Sequence, residues 1–578
     1  MADLFQLWHG AFGQAQRSAR TAWIDLVLLL GVVGVASGLV SVAGEWTQQL
    51  RPTVEINLSP WALPRYTFYS LSRGLLAYVF SLGFTLVYGY WAAKDRLAER
   101  VLIPLLDILQ SIPVLGFMPG LVVALVALFP TRNIGLELAA VVMIFTGQAW
   151  NMTFSFYHSL RSLPGDLQEA ATVYRFDWWQ RLRWVELPFS TIGLVWNSMM
   201  SMAGGWFFLM INEAFRLGDK DYRLPGIGSY MSVAVDHGSI AAMLWAMFAM
   251  VVMIVTLDQL LWRPVVVWAQ KFRVEEGGEQ QLMRSWFLDW AGRSRILGWV
   301  RGLLSAEGPE KLDPAATARR RPQSVSYGRW AALTSPALFL ILIAVLGFGG
   351  FKLLTILAGV SSAEWTSIAG AALWTLGRVL TSTAVGTLWA LPAGIAIGLS
   401  PRLSRLLQPV VQVVASFPAP MLFPIVIAGL KLAGVSLGWG SILLMLLGTQ
   451  WYILFNVIAG AMAIPADLRE AGRSYRFPRW RMFWSVYVPA VFPHLVTGWV
   501  TAAGGAWNAS IVSEYVTFRG EVLTAWGVGA EISKAAEQAN FPLLAASVTV
   551  MSAVVVLFNR SVWRRCYELA EKRFALTK

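Results

Sequence analysis

The sequence predicts an all-α, polytopic helical membrane protein: two tandem repeats of about six spans each, related by a pseudo-twofold axis along the membrane normal. Three observations predict it. The 578-residue chain is 56% hydrophobic and only 14% charged, too apolar for an ordinary soluble domain. Apolar runs of about 20 residues, the length that crosses a bilayer core, recur from end to end. The halves also repeat one another. Glu169 and Glu470, Pro188 and Pro489, Trp206 and Trp507, and Glu213 and Glu514 each lie 301 residues apart. Arg73 and Arg378, Ser111 and Ser416, Pro113 and Pro418, and Pro119 and Pro424 each lie 305 apart. An even number of spans per half makes the duplication parallel, not inverted.

Residues 1–21 mix Phe5, Leu7, Trp8 and Phe12 with Arg17 and Arg20, which suits a cytoplasmic interfacial helix. The first half takes residues 22–262. Its spans lie near 22–42, 66–92, 134–158, 189–211 and 239–262, and a further one starts near Pro104 and is interrupted at Pro113 and Pro119. Residues 263–328 are a charged cytoplasmic linker in which 283–304 alternates tryptophans with arginines, as a surface-lying amphipathic helix does. The second half, 329–560, repeats the pattern with spans near 331–350, 366–398, 438–462, 489–512 and 541–559. Its broken span carries Phe417-Pro418 and Pro424. A basic cytoplasmic tail, 561–578, follows.

The net charge of +13 is gathered between apolar runs. Loops held on the cytoplasmic side account for it better than nucleic acid does. A single cysteine, Cys566, excludes an internal disulfide and a cysteine-based metal cluster, and the four histidines are not paired at ligand spacing. The N-terminus shows no cleavage site, and the first span is long enough to be retained. No Gly-x4-Gly-Lys-Ser/Thr run occurs, so this chain has no such device for holding ATP.

Two polar islands interrupt the apolar pattern at equivalent places. The first contains Asp166, Glu169, Ala170, Ala171, Tyr174 and Arg175 and ends at Leu187-Pro188. The second contains Asp467, Glu470, Ala471, Gly472, Tyr475 and Arg476 and ends at Val488-Pro489. An acidic residue behind a proline with a glutamate three further on has the spacing of a capping box at a helix start. Small residues then let a second short helix pack closely, and the arginines can meet carboxylates on a partner. A cap alone does not explain why the whole island occurs twice.

These islands resemble the cytoplasmic Glu-Ala-Ala…Gly…Ile-x-Leu-Pro loop of permease subunits of bacterial ATP-binding cassette importers. Glu169-Ala170-Ala171 with Val185-Glu186-Leu187-Pro188, and Glu470-Ala471-Gly472 with Val486-Tyr487-Val488-Pro489, keep its spacing. The glycine position holds Arg175 and Arg476, which puts the usual turn between the two short helices in question. Thr375-Leu376-Gly377-Arg378-Val379, Phe417-Pro418 with Pro424, and Trp507 with Glu514 extend the resemblance to the nitrate/sulfonate/taurine/bicarbonate class. The resemblance implies two permeases fused in one chain of the bacterial inner membrane, multi-pass, with both termini cytoplasmic. It implies two cytosolic ATPase subunits that bind ATP and Mg, one gripped by each island. It also implies a periplasmic solute-binding protein and a small anion as solute. The chain itself is then not an enzyme and needs no cofactor of its own.

Polar groups inside spans tend to face a cavity or a partner. Arg73 and Arg378, near the outer starts of their spans, either snorkel to the interface or face an anionic solute. Gln148, Asn151, Gln450 and Asn456 either line a path or hydrogen-bond between helices. Ser111 and Ser416 precede helix-breaking prolines, where freed backbone groups need neighbours or a solute. Trp206 and Trp507 form a constriction or pack in the core. Glu213 and Glu514 read foremost as solvated span ends. Two other functions remain open: an ion-driven secondary transporter, with Asp107, Glu137 and Asp258 as its coupling carboxylates, and a membrane-embedded enzyme. No repeated catalytic constellation supports the last.

Overall fold

The computed structural model describes residues 2–50, 54–217, 220–272, 285–294, 296–297, 329–518 and 520–574. Among them, nine helices are long and apolar enough to cross a membrane, and two further helix pairs form bent spans. Helix α1 (Ala2–Thr47) leads with an apolar stretch, Trp23–Thr47, that is not buried by the rest of the chain. Lipid is the natural cover for such a surface. Helix α2 (Leu63–Lys94) has Pro64 in its first turn, where a missing N–H costs nothing. Helix α3 (Arg96–Ser111) starts at Asp95, whose carboxylate accepts the Leu97 and Ala98 amides.

Helix α4 (Val114–Leu128) leaves α3 at 95° across Ile112-Pro113. The sequence expectation of breaks at both prolines is corrected here: Pro119 sits inside α4, and Pro104, expected to open this span, sits inside α3. Helix α5 (Ile134–Arg161) leads to the first island, built of α6 (Gly165–Val173) and α7 (Trp178–Arg181). Helix α8 (Leu187–Glu213) returns through the membrane. A small hairpin, β1 (Arg216–Leu217) and β2 (Lys220–Asp221), precedes α9 (Ile227–Asp236) and α10 (Ile240–Leu257).

The second half repeats this order. After Arg329–Leu357 come Ser362–Leu399 and a pair bent by 80°, Pro401–Ser416 with Ala419–Leu432. Leu437–Met462, the island helices Ala466–Ser474 and Arg479–Met482, and Val488–Ser513 follow. A hairpin of β3 (Tyr515–Phe518) and β4 (Glu521–Thr524) and the helices Val528–Glu537 and Phe541–Phe558 complete it. Even the irregularities are duplicated. One-turn π-helical segments occur at Leu182–Glu186 and Phe483–Tyr487, and again at Asp258–Trp262 and Asn559–Trp563. Such segments are rare and concentrate at functional places.

The halves exchange contacts as a twofold axis requires. α4 packs on Val488–Ser513 and Phe541–Phe558, while α8 and α10 pack on Pro401–Ser416. One buried core runs across both halves. Three sequence-drawn boundaries are corrected. The 21/22 edge falls within α1, 262/263 within the helical run Ile240–Phe272, and 560/561 within Phe541–Phe574. Those edges mark where apolar runs stop, whereas backbone hydrogen bonding carries a helix on into charged sequence. Of the expected linker helix at 283–304, a short piece, Trp286–Ala291, is described. It is docked on α1: Ser294 Oγ donates to Asp25 at 2.5 Å, and the Trp290 ring lies 5.8 Å from that of Trp23. Residues 283–284, 295 and 298–304 of that stretch lie outside the described residues.

Candidate functional site

Three structures occur on or between the repeats: a buried ion cluster under each hairpin, a cavity between the halves, and the two islands. The clusters overturn several path assignments. Arg73 is 2% exposed and Glu137 and Glu213 are fully buried. Arg73 Nε and Nη2 each donate to Glu137 at 2.6 Å, and Nη1 donates to Glu213 at 2.7 Å and to the Pro225 carbonyl at 2.8 Å. Glu213 also accepts from Ser70 Oγ and from the Gly228 amide, and Ser70 Oγ accepts from the Ile227 amide. The carboxylate thereby ties α2 and α8 to the start of α9. A side chain at Gly228 would run into the Met210 carbonyl at 2.6 Å.

The second half builds the same knot. Arg378 Nη1 donates to Glu514 at 2.7 Å and to the Trp526 carbonyl at 2.9 Å. Glu514 accepts from Thr375 Oγ1 and from the Gly529 amide, and Thr375 Oγ1 accepts from the Val528 amide. The position matching Glu137 is Gly438, whose carbonyl takes the Arg378 Nε proton at 3.1 Å. Arg73 and Arg378 are therefore buried in ion clusters and do not snorkel to the interface, and Glu213 and Glu514 are buried, not solvated ends. Each charged group has an ion-pair partner inside the protein, Arg73 serving two carboxylates, as buried charges require. Glu137, which the sequence placed near a span end, is the buried partner of Arg73 in this cluster.

The cavity lies about halfway along the spans, with a volume of about 170 Å³. Both halves line it, through α5, α8, the second bent pair and the helices Leu437–Met462 and Val488–Ser513. Of the candidate path residues, Asn151 and Ser416 line it. Gln148 does not: it is buried beside Ser81 and against Gly205. Gln450 accepts from Trp389 Nε1 at 3.0 Å, and Asn456 donates to the Tyr452 carbonyl at 2.8 Å. The first bond joins two helices, and the second lies within Leu437–Met462 itself. Trp206, against Gly74, and Trp507 are core residues and form no constriction. Ser111 closes α3, and its side chain lies outside the described residues. Sequence reasoning missed Trp150, Trp451, Tyr452, Phe207 and Asn508, all of which line the cavity. The duplication of Trp150 as Trp451 was the available signal. Asn508 also bridges the halves, its Oδ1 accepting the Val114 amide freed by the α3–α4 break at 2.7 Å.

The islands are built alike. The expected capping box is corrected: Pro164 and Pro465 hold the N-cap positions and no side chain caps either helix. Asp166 and Asp467 sit in the first turn, favoured by the helix dipole. A true capping box belongs instead to α7, between Asp177 and Gln180. Glu169, Ala170, Glu470 and Ala471 are exposed, while Ala171 and Gly472 are buried under the second short helix. Both first helices end in a Schellman turn. The Phe176 amide bonds Ala171 O and the Arg175 amide bonds Thr172 O, with Phe477 to Gly472 and Arg476 to Arg473 repeating it. Arg175 and Arg476 sit at φ of 52° and 51°, so the turn keeps its left-handed residue without glycine. The rings flank the turn, Tyr174 6.0 Å from Phe176 and Tyr475 6.1 Å from Phe477.

Left-handed geometry costs a residue with Cβ about 1 kcal/mol. Arg175→Gly and Arg476→Gly are each expected to stabilise the chain by at most about 0.5 kcal/mol after glycine's extra chain entropy is deducted. A raised thermal unfolding midpoint in detergent is the check. On the outer hairpin, burial alone would raise the Asp221 pKa, but hydrogen bonds and charge from Arg223 outweigh it and hold it below the usual carboxylate value. A depressed carboxylate stabilises above its unfolded pKa and is lost as pH falls through its folded one. Hairpin protection in hydrogen exchange is therefore expected to weaken below about pH 4.

A pseudo-symmetric, two-in-one helical membrane protein, with a shared mid-span cavity and one exposed handle per repeat, is the class that this fold and these sites define. The chain belongs to the family described as binding-protein-dependent transport system inner membrane component, whose model matches twice, at residues 85–261 and 386–564. It is 30% identical over 148 residues to the nitrate import permease protein of Leptolyngbya laminosa, covering 25% of this chain and 52% of that one. It is 27% identical over 187 residues to the bicarbonate transport system permease protein of Synechocystis sp., covering 32% and 64%. With the putative aliphatic sulfonates transport permease protein of Bacillus subtilis it shares 25% identity over 271 residues, covering 44% and 95%. The chain spans about half to two thirds of the first two relatives.

Proposed function

We propose that this chain is the complete membrane path of an ATP-driven importer, in which two fused permease repeats replace two separate subunits. Each island seats in a cleft of one cytosolic ATPase subunit, which binds the ATP and Mg. Closure of the ATPase pair moves the islands, and the halves rock around the cavity between outward-open and inward-open states. A periplasmic solute-binding protein delivers a small anion to the outer hairpins, in a bacterial inner membrane with both termini cytoplasmic. The observation that carries this reading is the pair of exposed islands, identical in turn geometry, on two repeats that together wall one mid-span cavity. The names of the relatives, for nitrate, bicarbonate and aliphatic sulfonates, support the anion.

The test is to purify the tagged chain from membranes of its own source and to follow solute uptake by the same cells. Co-isolation with an ATPase of the cassette type, and uptake that stops when ATP is depleted under an intact ion gradient, is the expected result. A chain that purifies without an ATPase, with uptake that collapses on removing the ion gradient instead, would replace this reading by a secondary transporter.

A further inference from the structure

Pseudo-symmetry makes the cavity walls comparable position by position, and they do not match. Positions 200, 207 and 208 of the first half are Met200, Phe207 and Phe208, and their counterparts 301 residues on are Thr501, Asn508 and Ala509. At these three positions the first-half wall is apolar and aromatic and the second-half wall small and polar. Elsewhere the exchange runs the other way, Asn151 standing where the second half has Tyr452. A pair of identical subunits could not present this difference, but a fused chain can. No residue lining the cavity carries a formal charge, and the two nearest buried arginines of the path proposal are locked in their ion clusters.

Both halves also supply unused hydrogen-bonding groups. The side chains of Asn151, Gln110 and Gln412 and the Tyr452 hydroxyl all line the cavity, and none has a hydrogen-bond partner among the described residues. Polar groups left open in a span are costly unless water or a ligand satisfies them. The volume is also informative, since a cavity of roughly 150 Å³ accommodates one benzene-sized ring. An inorganic oxyanion fills little of 170 Å³ and leaves the aromatic wall facing water.

We infer that the cavity binds an amphiphilic organic solute in one orientation, a ring-sized apolar body on Phe207 and Phe208 and an acceptor-rich head on Tyr452, Asn151 and the second-half wall. Neutral donors hold the head without the desolvation cost of a buried counter-charge, so the grip is weak and the solute leaves readily. This rests on the transport reading above and narrows its solute from any small anion to one with a body. Phe207 and Asn508 set the specificity because they are the pair at which the symmetry is most fully broken.

Saturation-transfer NMR on the full chain in lipid nanodiscs, which detects weak binding, tests it with benzenesulfonate as probe and nitrate as competitor. The expected result is saturation of the ring protons, not displaced by equimolar nitrate, and weakened about 3- to 10-fold in Tyr452→Phe, the effect of one neutral hydrogen bond. Phe207→Asn is expected to abolish ring saturation. Tyr452→Phe removes only an unpartnered hydroxyl, so it keeps the test valid if Phe207→Asn fails to fold. Absence of ring saturation in the native chain, displacement by equimolar nitrate, or binding unchanged in Tyr452→Phe overturns the inference. Co-isolation with the ATPase reads out separately, so a failure here is distinct from a failure of the transport reading.

Discussion

Replacing Arg73 with leucine is expected to destabilise the chain by about 3–5 kcal/mol, the cost of leaving a buried ion without its partner. The size follows from what stays behind. Glu137 and Glu213 are both fully buried, and Arg73 is the cation that both of them contact, at 2.6 and 2.7 Å. Arg378→Leu is expected to cost less. It strands one carboxylate, Glu514, which keeps its bonds from Thr375 and the Gly529 amide. Because Glu213 holds the Gly228 amide and Ser70, the damage in Arg73→Leu should appear first in the hairpin and α9, as early proteolysis of residues 214–226. Lysine at position 73 is not a conservative rescue, since it cannot present the two-pronged face that Glu137 engages. Glu137→Gln and Glu213→Gln added to Arg73→Leu remove the stranded charges and should recover part of the loss. A thermal midpoint unchanged in Arg73→Leu would mean that the cluster does not hold the outer layer in place.

The repeat was legible in the sequence because it needs no knowledge of contacts. Matching residues recur at offsets of 301 and 305 whatever they touch, and the family, span count and islands followed from that. The partners of Arg73 were not legible, because Glu137 and Glu213 lie 64 and 140 residues away on other helices. Hydropathy places a charge at a depth in the membrane but not beside its counter-charge. Both halves of the Arg378–Glu514 pair were nevertheless visible as duplicated ions, and duplicated opposite charges in apolar spans are a signal for pairing. Gln148 and Asn151 show a second limit. They are three residues apart on α5 and point within one broad face, yet Gln148 is buried against α8 and Asn151 opens on the cavity. Only the position of the neighbouring helix separates them. The π-helical segments left no mark at all, since they differ from α-helix by one hydrogen-bond step and not by composition.

The islands lead to the other large effect. Joint reversal of Glu169 and Glu470 to arginine is expected to abolish association with the ATPase pair while leaving the chain folded. The fold should tolerate it because both carboxylates are exposed and neither takes part in the cap that the sequence suggested for them; Pro164 and Pro465 hold those positions. Their duplicated position on the exposed face of each island is thus better explained by a surface that comes from outside the chain. Removing one partner of a buried interfacial charge pair costs about 2–5 kcal/mol, and reversal adds repulsion. Each single reversal should therefore weaken binding by more than about thirtyfold at its own handle. The complex survives a single reversal in part, because the second handle keeps the ATPase pair at high effective concentration. The two singles should not be equal. Apart from the shared pairs Asp166/Asp467 and Arg175/Arg476, the second island carries Arg469, Arg473, Arg479 and Arg481 around Glu470, whereas the first has Asp177 with Arg181 and Arg183. Glu470→Arg thus makes an already basic handle more so, and its residual binding should recover more with added salt, which screens the larger repulsion, than that of Glu169→Arg. Pull-down of the ATPase across a salt series, with a thermal melt of each variant as the folding control, measures all three. Full association of the double variant at low salt would show that these carboxylates do not face the motor.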